Sequence, residues 1–179
     1  MDEVMVEKFG LHLFNQFKGT NHTVDSFPKL FMQDELDENE RERFYDFILS
    51  RKNVYDGVPL MEGVKEVLPG LNEKYLIYIC SDYLFKGCEW RASKLVVDKC
   101  EMLKQNFPYI HPKQYVFMHA KDLLTADIMI DDRPSNFSPK VKQCLLFTRN
   151  HNKHLTSEEI KDKNITRVNS WKEISEILL

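Results

Sequence analysis

The sequence lacks the features of membrane-spanning, exported and disordered proteins. Its 179 residues contain no uninterrupted apolar run near the ~18 residues that a spanning helix needs. The first ten residues, MDEVMVEKFG, begin with acids instead of the basic residues of a secretory signal, and no apolar segment follows. The hydrophobic fraction of 42% is too high for a disordered chain. We therefore expect a soluble, cytoplasmic protein with one compact domain and no membrane partner.

Paired cysteines, a basic excess and glycine-rich nucleotide loops are also missing. The four cysteines form no Cys-x-x-Cys pair, so we expect reduced, mostly buried thiols at Cys80, Cys88, Cys100 and Cys144. The formal net charge of −3 does not suit a nucleic-acid polymer or an anionic membrane surface. The sequence contains no GxGxxG motif and no P-loop, so it gives no indication of a dinucleotide cofactor. The function class that these exclusions leave is the binding or conversion of a small molecule.

From about residue 60 onward, short apolar runs alternate with longer segments of helical periodicity. The apolar runs predict strands at 75–80, 115–118, 127–130 and 144–147, with a weaker one at 165–168. The helical segments are 61–72, 88–106 and 170–178. The runs are continuous, as is typical of strands that are covered on both faces. This order predicts an α/β fold with a doubly wound parallel sheet.

The first 58 residues follow a different pattern, because they contain helical periodicity and no convincing strand. Met5, Phe9, Leu13 and Phe17 are spaced four apart, which predicts one apolar stripe on a helix that ends near Gly19. A second, acid-rich helical region covers residues 34–51. We expect these helices to form a small cap over one edge of the sheet.

Polar side chains follow three of the predicted strands. Ligands of an open parallel sheet bind beyond the carboxyl ends of its strands, so these positions are the candidates for a functional site. A hydroxyl and an ammonium group suit a phosphate, and adjacent carboxylates suit Mg²⁺. The set therefore favours phosphoryl transfer, and it consists of Ser81, Asp82, His119, Lys121, Asp131, Asp132 and Arg133.

Each candidate also has an ordinary structural interpretation. The two adjacent carboxylates would suit a solvated turn, Lys121 a surface position, and Ser81 a helix N-cap. The most specific signal is the apolar run 127–130, because it leads directly into both carboxylates and delivers charge to the end of a buried element. His151 and His154 have no third ligand at a recognisable metal-site spacing, so we expect them at the surface.

Three segments resemble motifs of the haloacid dehalogenase superfamily. They are Ser81 after the run YLIYIC, Lys121 ten residues before Asp131, and the run ADIMIDDRP at 126–134. More narrowly, LFTRNHN at 146–152 and WKEI after Ser170 are similar to segments of the 5′(3′)-deoxyribonucleotidases. The resemblance implies a haloacid-dehalogenase-like α/β core over 1–20 and 59–179, a helical cap over 21–58, and hydrolysis of (deoxy)ribonucleoside monophosphates with Mg²⁺.

The resemblance also implies a role for each candidate residue. Asp2 corresponds to the general acid and base, and its backbone carbonyl helps to hold the metal. Ser81, Asp82 and Lys121 correspond to phosphate-binding residues, with Lys121 also catalytic. The implied metal ligands are Asp2, Asp131 and Asp132.

The substrate contacts that the resemblance implies are weaker. Phe9 and Tyr55 are aromatic candidates for stacking on a base, and Arg133 is a further candidate for a substrate contact. Core packing is an equally good interpretation of both aromatic residues. Two alternative functions stay open, namely a phosphatase of another small phosphomonoester and a catalytically inactive phosphate-binding member. The oligomeric state is also open, and a homodimer is among the expected partners.

The first motif of the superfamily, Asp-x-Asp-x-Val or Thr, is matched by MDEV at residues 1–4 in its last four positions only. Its first aspartate is the nucleophile that forms an aspartyl-phosphate, and a buried strand precedes it. Four or five buried aliphatic side chains of such a strand would contribute roughly 6–15 kcal/mol, comparable with the stability of a whole domain. We therefore expect the natural protein to begin upstream of Met1 and to supply the nucleophile there.

Overall fold

The structure, a computed structural model, describes residues 8–24, 26, 32–82, 91, 93–156, 158–160 and 164–179. The chain divides into two compact units. The first unit comprises Met1–Met61 and Ser81–Phe117, and the second comprises Glu62–Cys80 and Met118–Leu179. Within the described ranges, no helix combines the length and the apolar character needed to span a membrane.

Helices and strands alternate through most of the chain. The helices are α1 (Lys8–Lys18), α2 (Glu38–Leu49), α3 (Val64–Lys74), α4 (Ser93–Asn106) and α5 (Trp171–Leu178). The strands are β1 (Ile79–Ser81), β2 (Tyr115–Phe117), β3 (Ile128–Asp131), β4 (Gln143–Phe147) and β5 (Ile165–Val168). β1 and β2 form one sheet, and the second sheet has the order β3-β4-β5. β4 pairs in parallel with both of its neighbours, which confirms the predicted α/β class.

The first unit has an aromatic core where α1 packs against α2. Asp37 begins α2 by accepting a hydrogen bond from the Glu40 amide at 2.8 Å, which satisfies one of the free amides of the first turn. The rings of Phe14 and Phe44 meet edge to face with their centroids 5.9 Å apart, and both are buried. Ile48, one turn after Phe44 on the same face of α2, is also fully buried.

A buried polar cluster joins α4 to the turn at 53–55 in the same unit. The Asp98 carboxylate accepts hydrogen bonds from the Val54 amide at 2.9 Å and from Lys94 Nζ at 2.8 Å. Asn53 Nδ2 donates to the Asp98 carbonyl at 3.2 Å and to Glu101 Oε2 at 3.1 Å. These bonds pair polar groups that would otherwise be costly to bury.

The last helix of the second unit, α5, is fixed at both ends and packs through one apolar face. Ser170 caps this helix by accepting a hydrogen bond from the Glu173 amide, and Trp171, Ile174 and Leu178 form its buried face. At the other end, Lys74 Nζ and the Tyr75 hydroxyl both donate to the Leu178 carbonyl, at 2.7 and 2.9 Å. The last turn of α5 is therefore tied to the end of α3.

The strand predicted at 75–80 is wrong over residues 75–78. The structure places β1 at Ile79–Ser81 only, and the side chains of Leu76 and Tyr78 are 74% and 57% exposed. Tyr75 is the C-cap of α3 and its hydroxyl contacts α5, so the residues after it form a helix exit instead of a strand. Exposed and partly buried side chains therefore alternate along residues 75–78. A continuous apolar run in the sequence was not evidence here of a strand buried on both faces.

The expectation of mostly buried thiols meets the structure only in part. Cys144 is buried, whereas Cys80 and Cys100 are half-buried, and Cys88 lies outside the described residues. Of the three cysteines that the structure describes, only Cys144 is therefore buried as predicted. The division into a core and a cap over 21–58 stays a prediction.

Candidate active site

The end of β3 carries the central carboxylate of the site. Met129 is buried within this strand, and Asp131 is its last residue, level with Leu146 of β4. Pro134 cannot continue a strand ladder, because it lacks an amide hydrogen, and it begins a short 3₁₀ turn that ends at Asn136. The chain therefore turns immediately after Asp131 and brings Asn136 back towards it.

The Asp131 carboxylate accepts hydrogen bonds from three groups. Lys121 Nζ lies 2.9 Å from Oδ2, while the Arg133 amide and Asn136 Nδ2 lie 3.0 and 2.8 Å from Oδ1. The exposed fractions of the Asp131 and Lys121 side chains are only 8% and 13%. The structure thus brings two of the candidate residues, Lys121 and Asp131, into direct contact at the end of β3. Neither Lys121 nor Asp131 is therefore a solvated surface side chain.

These contacts keep the Asp131 carboxylate ionised. Burial by itself would raise its pKa, since a charged group loses hydration. The charge of Lys121 and the hydrogen bonds from Lys121, Arg133 and Asn136 outweigh that effect and lower the pKa of Asp131 below its usual value. At neutral pH this residue therefore carries a negative charge.

Asp132 differs from its neighbour. Partial burial and the negative charge of Asp131 raise the pKa of Asp132, although His151 and Arg133 counteract part of this rise. Its side chain is 42% exposed, so water screens these interactions. The two carboxylates thus lie side by side, and the positive groups near Asp132 offset only part of the repulsion that it experiences from Asp131.

His151 was expected at the surface, and that prediction is wrong. Its side chain is 14% exposed, with Nε2 3.7 Å from Asp132 Oδ2 and 3.1 Å from the Asp132 carbonyl. The loop after β4 folds back over the end of β3, which the spacing of histidines in the sequence does not reveal. His154 is exposed, as expected.

Two asparagines of this site were missed by sequence reasoning, and His151 was considered but expected at the surface. Asn136 donates to Asp131, whereas Asn152 and His151 contact the Asp132 carbonyl. The two asparagines are neutral amides in loops, and their residue type alone carries no functional signal. The only available signal was their position just after β3 and β4.

Other candidates belong to the first unit or lie outside the described residues. Ser81 ends β1 in the first unit, and its half-buried hydroxyl donates to the Asp82 carbonyl at 3.3 Å. Tyr55 is half-buried in the same unit, with Lys99 Nζ 4.9 Å from its ring centroid. Asp2 lies outside the described residues. Phe9 belongs to α1, but its side chain is likewise not described.

The donor set at the end of β3 fits a hard divalent cation. Asp131 and Asp132 supply carboxylate oxygens, and a cation would offset the repulsion that raises the pKa of Asp132. Among the described residues, no group of three or more histidine, cysteine, aspartate or glutamate side chains is gathered as a ready-made metal site. Mg²⁺ suits such a sparse set, because it is commonly bound by one or two carboxylates and keeps several waters.

Comparison with known proteins points to nucleotide hydrolysis. Residues 1–179 match the family described as "5' nucleotidase, deoxy (Pyrimidine), cytosolic type C protein". A putative 5′(3′)-deoxyribonucleotidase of Staphylococcus epidermidis RP62A is 26% identical over 176 residues, which cover 97% of this chain and 90% of that protein. The 5′(3′)-deoxyribonucleotidase of Clostridium acetobutylicum is 29% identical over 131 residues, covering 73% of this chain and 64% of the relative. That of Bacillus subtilis is 28% identical over 127 residues, covering 71% and 66%.

Proposed function

The chain belongs to the 5′ nucleotidase, deoxy (pyrimidine), cytosolic type C family of phosphoric monoester hydrolases, and we propose that it hydrolyses deoxyribonucleoside monophosphates with Mg²⁺. The products are a nucleoside and inorganic phosphate. The observation that carries the proposal is the contact of Lys121 with Asp131 at the end of β3. It combines a cation for the phosphate with an ionised oxygen ligand for the metal.

Lys121 is the proposed phosphate-binding cation. One of its three N–H donors is directed to Asp131 Oδ2, and an ammonium group has two more with which to bind phosphoryl oxygens. Its low exposure strengthens its attraction to an anion, since little water screens the charge. Ser81 and Asp82 are proposed as further contacts of the phosphate.

Asp131 and Asp132 are proposed to hold Mg²⁺ together with water molecules. When bound, the cation orients the phosphate and offsets the negative charge that develops during phosphoryl transfer. Asp131 is ionised and anchored by three donors, so its carboxylate needs little rearrangement to act as a ligand.

The proposed reaction proceeds through an aspartyl-phosphate. A carboxylate oxygen attacks phosphorus, the bond from phosphorus to the nucleoside oxygen breaks, and that oxygen takes a proton from Asp2. Asp2 then accepts a proton from water as the water oxygen attacks the aspartyl-phosphate, which releases phosphate and restores the carboxylate. The attacking carboxylate is proposed to be that of the aspartate with which this motif begins, and residues 1–4 match the other positions of the motif.

Base and sugar contacts are proposed for Phe9, Tyr55 and Arg133. Of the three, Tyr55 has a ring held at a defined position, since it packs against the core of the first unit with Lys99 Nζ 4.9 Å from its centroid. The backbone of Tyr55 is fixed as well, since its amide donates to Asn53 Oδ1 at 2.8 Å.

A substrate panel tests the proposal. The protein as its gene encodes it is incubated with dUMP, dTMP and a set of sugar phosphates, with Mg²⁺ or with EDTA, and released phosphate is measured. We expect hydrolysis of the deoxynucleotides in Mg²⁺ only, with kcat/KM at least ~10-fold above that for any sugar phosphate. Preference for a sugar phosphate would instead indicate another small phosphomonoester as substrate. Inactivity on every compound would indicate a phosphate-binding protein without catalysis.

A further inference from the structure

The side chain of Asn152 bridges the ends of two strands. It is 1% exposed, and its Nδ2 donates to the Asp132 carbonyl at 2.7 Å and to the Phe147 carbonyl at 2.8 Å. These carbonyls lie one residue beyond the last paired positions of β3 and β4, Asp131 and Leu146. The side-chain amide of Asn152 therefore joins β3 to β4 just beyond their last backbone pair.

The oxygen of the same side chain is also occupied. Asn152 Oδ1 accepts hydrogen bonds from the Arg149 amide at 3.0 Å and from Arg167 Nη1 at 3.2 Å. Arg167 belongs to β5, and its Nη2 also donates to the Leu155 carbonyl at 2.9 Å. With two donors and two acceptor positions used, the amide has one orientation, because a flip would place oxygen against two carbonyls.

This orientation reaches Asp131 through a single peptide group. The Asp132 carbonyl, which Asn152 binds, and the Arg133 amide belong to the same planar peptide unit. The Arg133 amide donates to Asp131 Oδ1 at 3.0 Å. In a trans peptide the C=O and N–H bonds lie in the same plane and point in opposite directions, so holding the carbonyl in place directs the N–H towards the carboxylate.

We infer that Asn152 is a positioning residue that orients the Asp131 carboxylate through the peptide between Asp132 and Arg133. The inference rests on the proposed function, in which Asp131 is a Mg²⁺ ligand. Groups that orient metal ligands typically change metal affinity by about 10–100-fold when they are removed. Asn152 is neutral and does not touch the Asp131 carboxylate, so its effect on the metal is indirect.

Mg²⁺ titration followed by NMR tests this role in the whole protein. Asn152→Ala is expected to raise the Kd for Mg²⁺ by about 10-fold, measured at a temperature where the variant is folded. The matched control is Asn53→Ala, which also removes a buried amide with two acceptors, Asp98 O and Glu101 Oε2. We expect this control to lose stability and to keep the Mg²⁺ affinity. An unchanged Kd in Asn152→Ala, or an equal change in the control, would overturn the inference.

A second measurement does not depend on the metal. In EDTA, the Arg133 amide hydrogen is expected to exchange with solvent faster in Asn152→Ala than in the unaltered protein, because its acceptor is no longer aligned. Asn53→Ala should leave that exchange rate unchanged. Faster exchange in a protein that binds no Mg²⁺ would refute the proposed metal site and leave the orienting role of Asn152 in place. Unchanged exchange would refute the orienting role itself.

If Asn152→Ala does not fold, Arg167→Met serves in its place. This change keeps Asn152 and removes one of the two donors to its Oδ1, so the amide is held less firmly. We expect faster Arg133 exchange and a smaller rise in the Mg²⁺ Kd. No change in either quantity would count against the inference.

Discussion

At the scale of single residues, the site depends on a carboxylate that is both buried and ionised. Burial opposes the charge of Asp131, and three hydrogen bonds together with the Lys121 ammonium group overcome that opposition. Its neighbour Asp132 shows the reverse balance, because burial and the adjacent negative charge raise its pKa. Adjacent residues of one type thus acquire different electrostatic properties from their contacts.

Burial also acts on the thiol of Cys144, where no charged partner offsets it. Burial raises the pKa of Cys144, so less thiolate is present at any given pH, and only the thiolate reacts rapidly with alkylating agents. We expect iodoacetamide at mildly alkaline pH to modify Cys144 at least ~10-fold more slowly in the folded protein than in guanidinium chloride. Mass spectrometry of the peptide that contains Cys144 measures both rates. Equal rates would show that the thiol is accessible.

At the scale of elements, α5 shows how a short helix is held in place. Its buried residues Trp171, Ile174 and Leu178 recur at intervals of three and four, which places them on one face. Ser170 satisfies an amide at its start, and Lys74 and Tyr75 satisfy a carbonyl at its end. Eight residues form only a marginal helix by themselves, so this helix depends on its packing.

Two isoleucines of α5 provide a matched test of that dependence. Ile174 is fully buried and Ile177 is 42% exposed. Ile174→Ala is expected to lower the free energy of unfolding by about 2–5 kcal/mol, because it leaves a cavity. Ile177→Ala should change it by less than ~1 kcal/mol. Urea denaturation of both variants measures the difference, and a similar loss in both would mean that α5 is not buried along the face described.

At the scale of the whole molecule, the sequence predicted the α/β class because strand and helix periods differ clearly along the chain. β4 is the best example, since Leu145 and Leu146 are both fully buried, as a continuous apolar run suggests. The same reasoning was wrong at 75–78, because a run of four apolar residues cannot distinguish a covered strand from a helix exit with Leu76 and Tyr78 exposed. Homodimer formation stays a prediction.

Site residues that directly follow a strand could be predicted from the sequence. Site residues that reach the site only because a loop folds back could not be predicted. Asp131 and Lys121 follow predicted strands, and their side chains meet at 2.9 Å. Asn152 lies twenty positions from Asp132 and contacts it only because the loop after β4 folds back. No sequence pattern of an asparagine predicts such a contact.

The central claim is that Asp131 supports Mg²⁺-dependent hydrolysis of nucleoside monophosphates. The most direct measurement compares kcat/KM on dUMP for Asp131→Asn and Asp127→Asn. Asp127 precedes the same strand, but its side chain is 80% exposed and pairs with Lys142 at the surface. We predict a loss of at least ~10²–10³-fold for Asp131→Asn and no change for Asp127→Asn. Undiminished Mg²⁺-dependent activity of Asp131→Asn would contradict the assignment of the site.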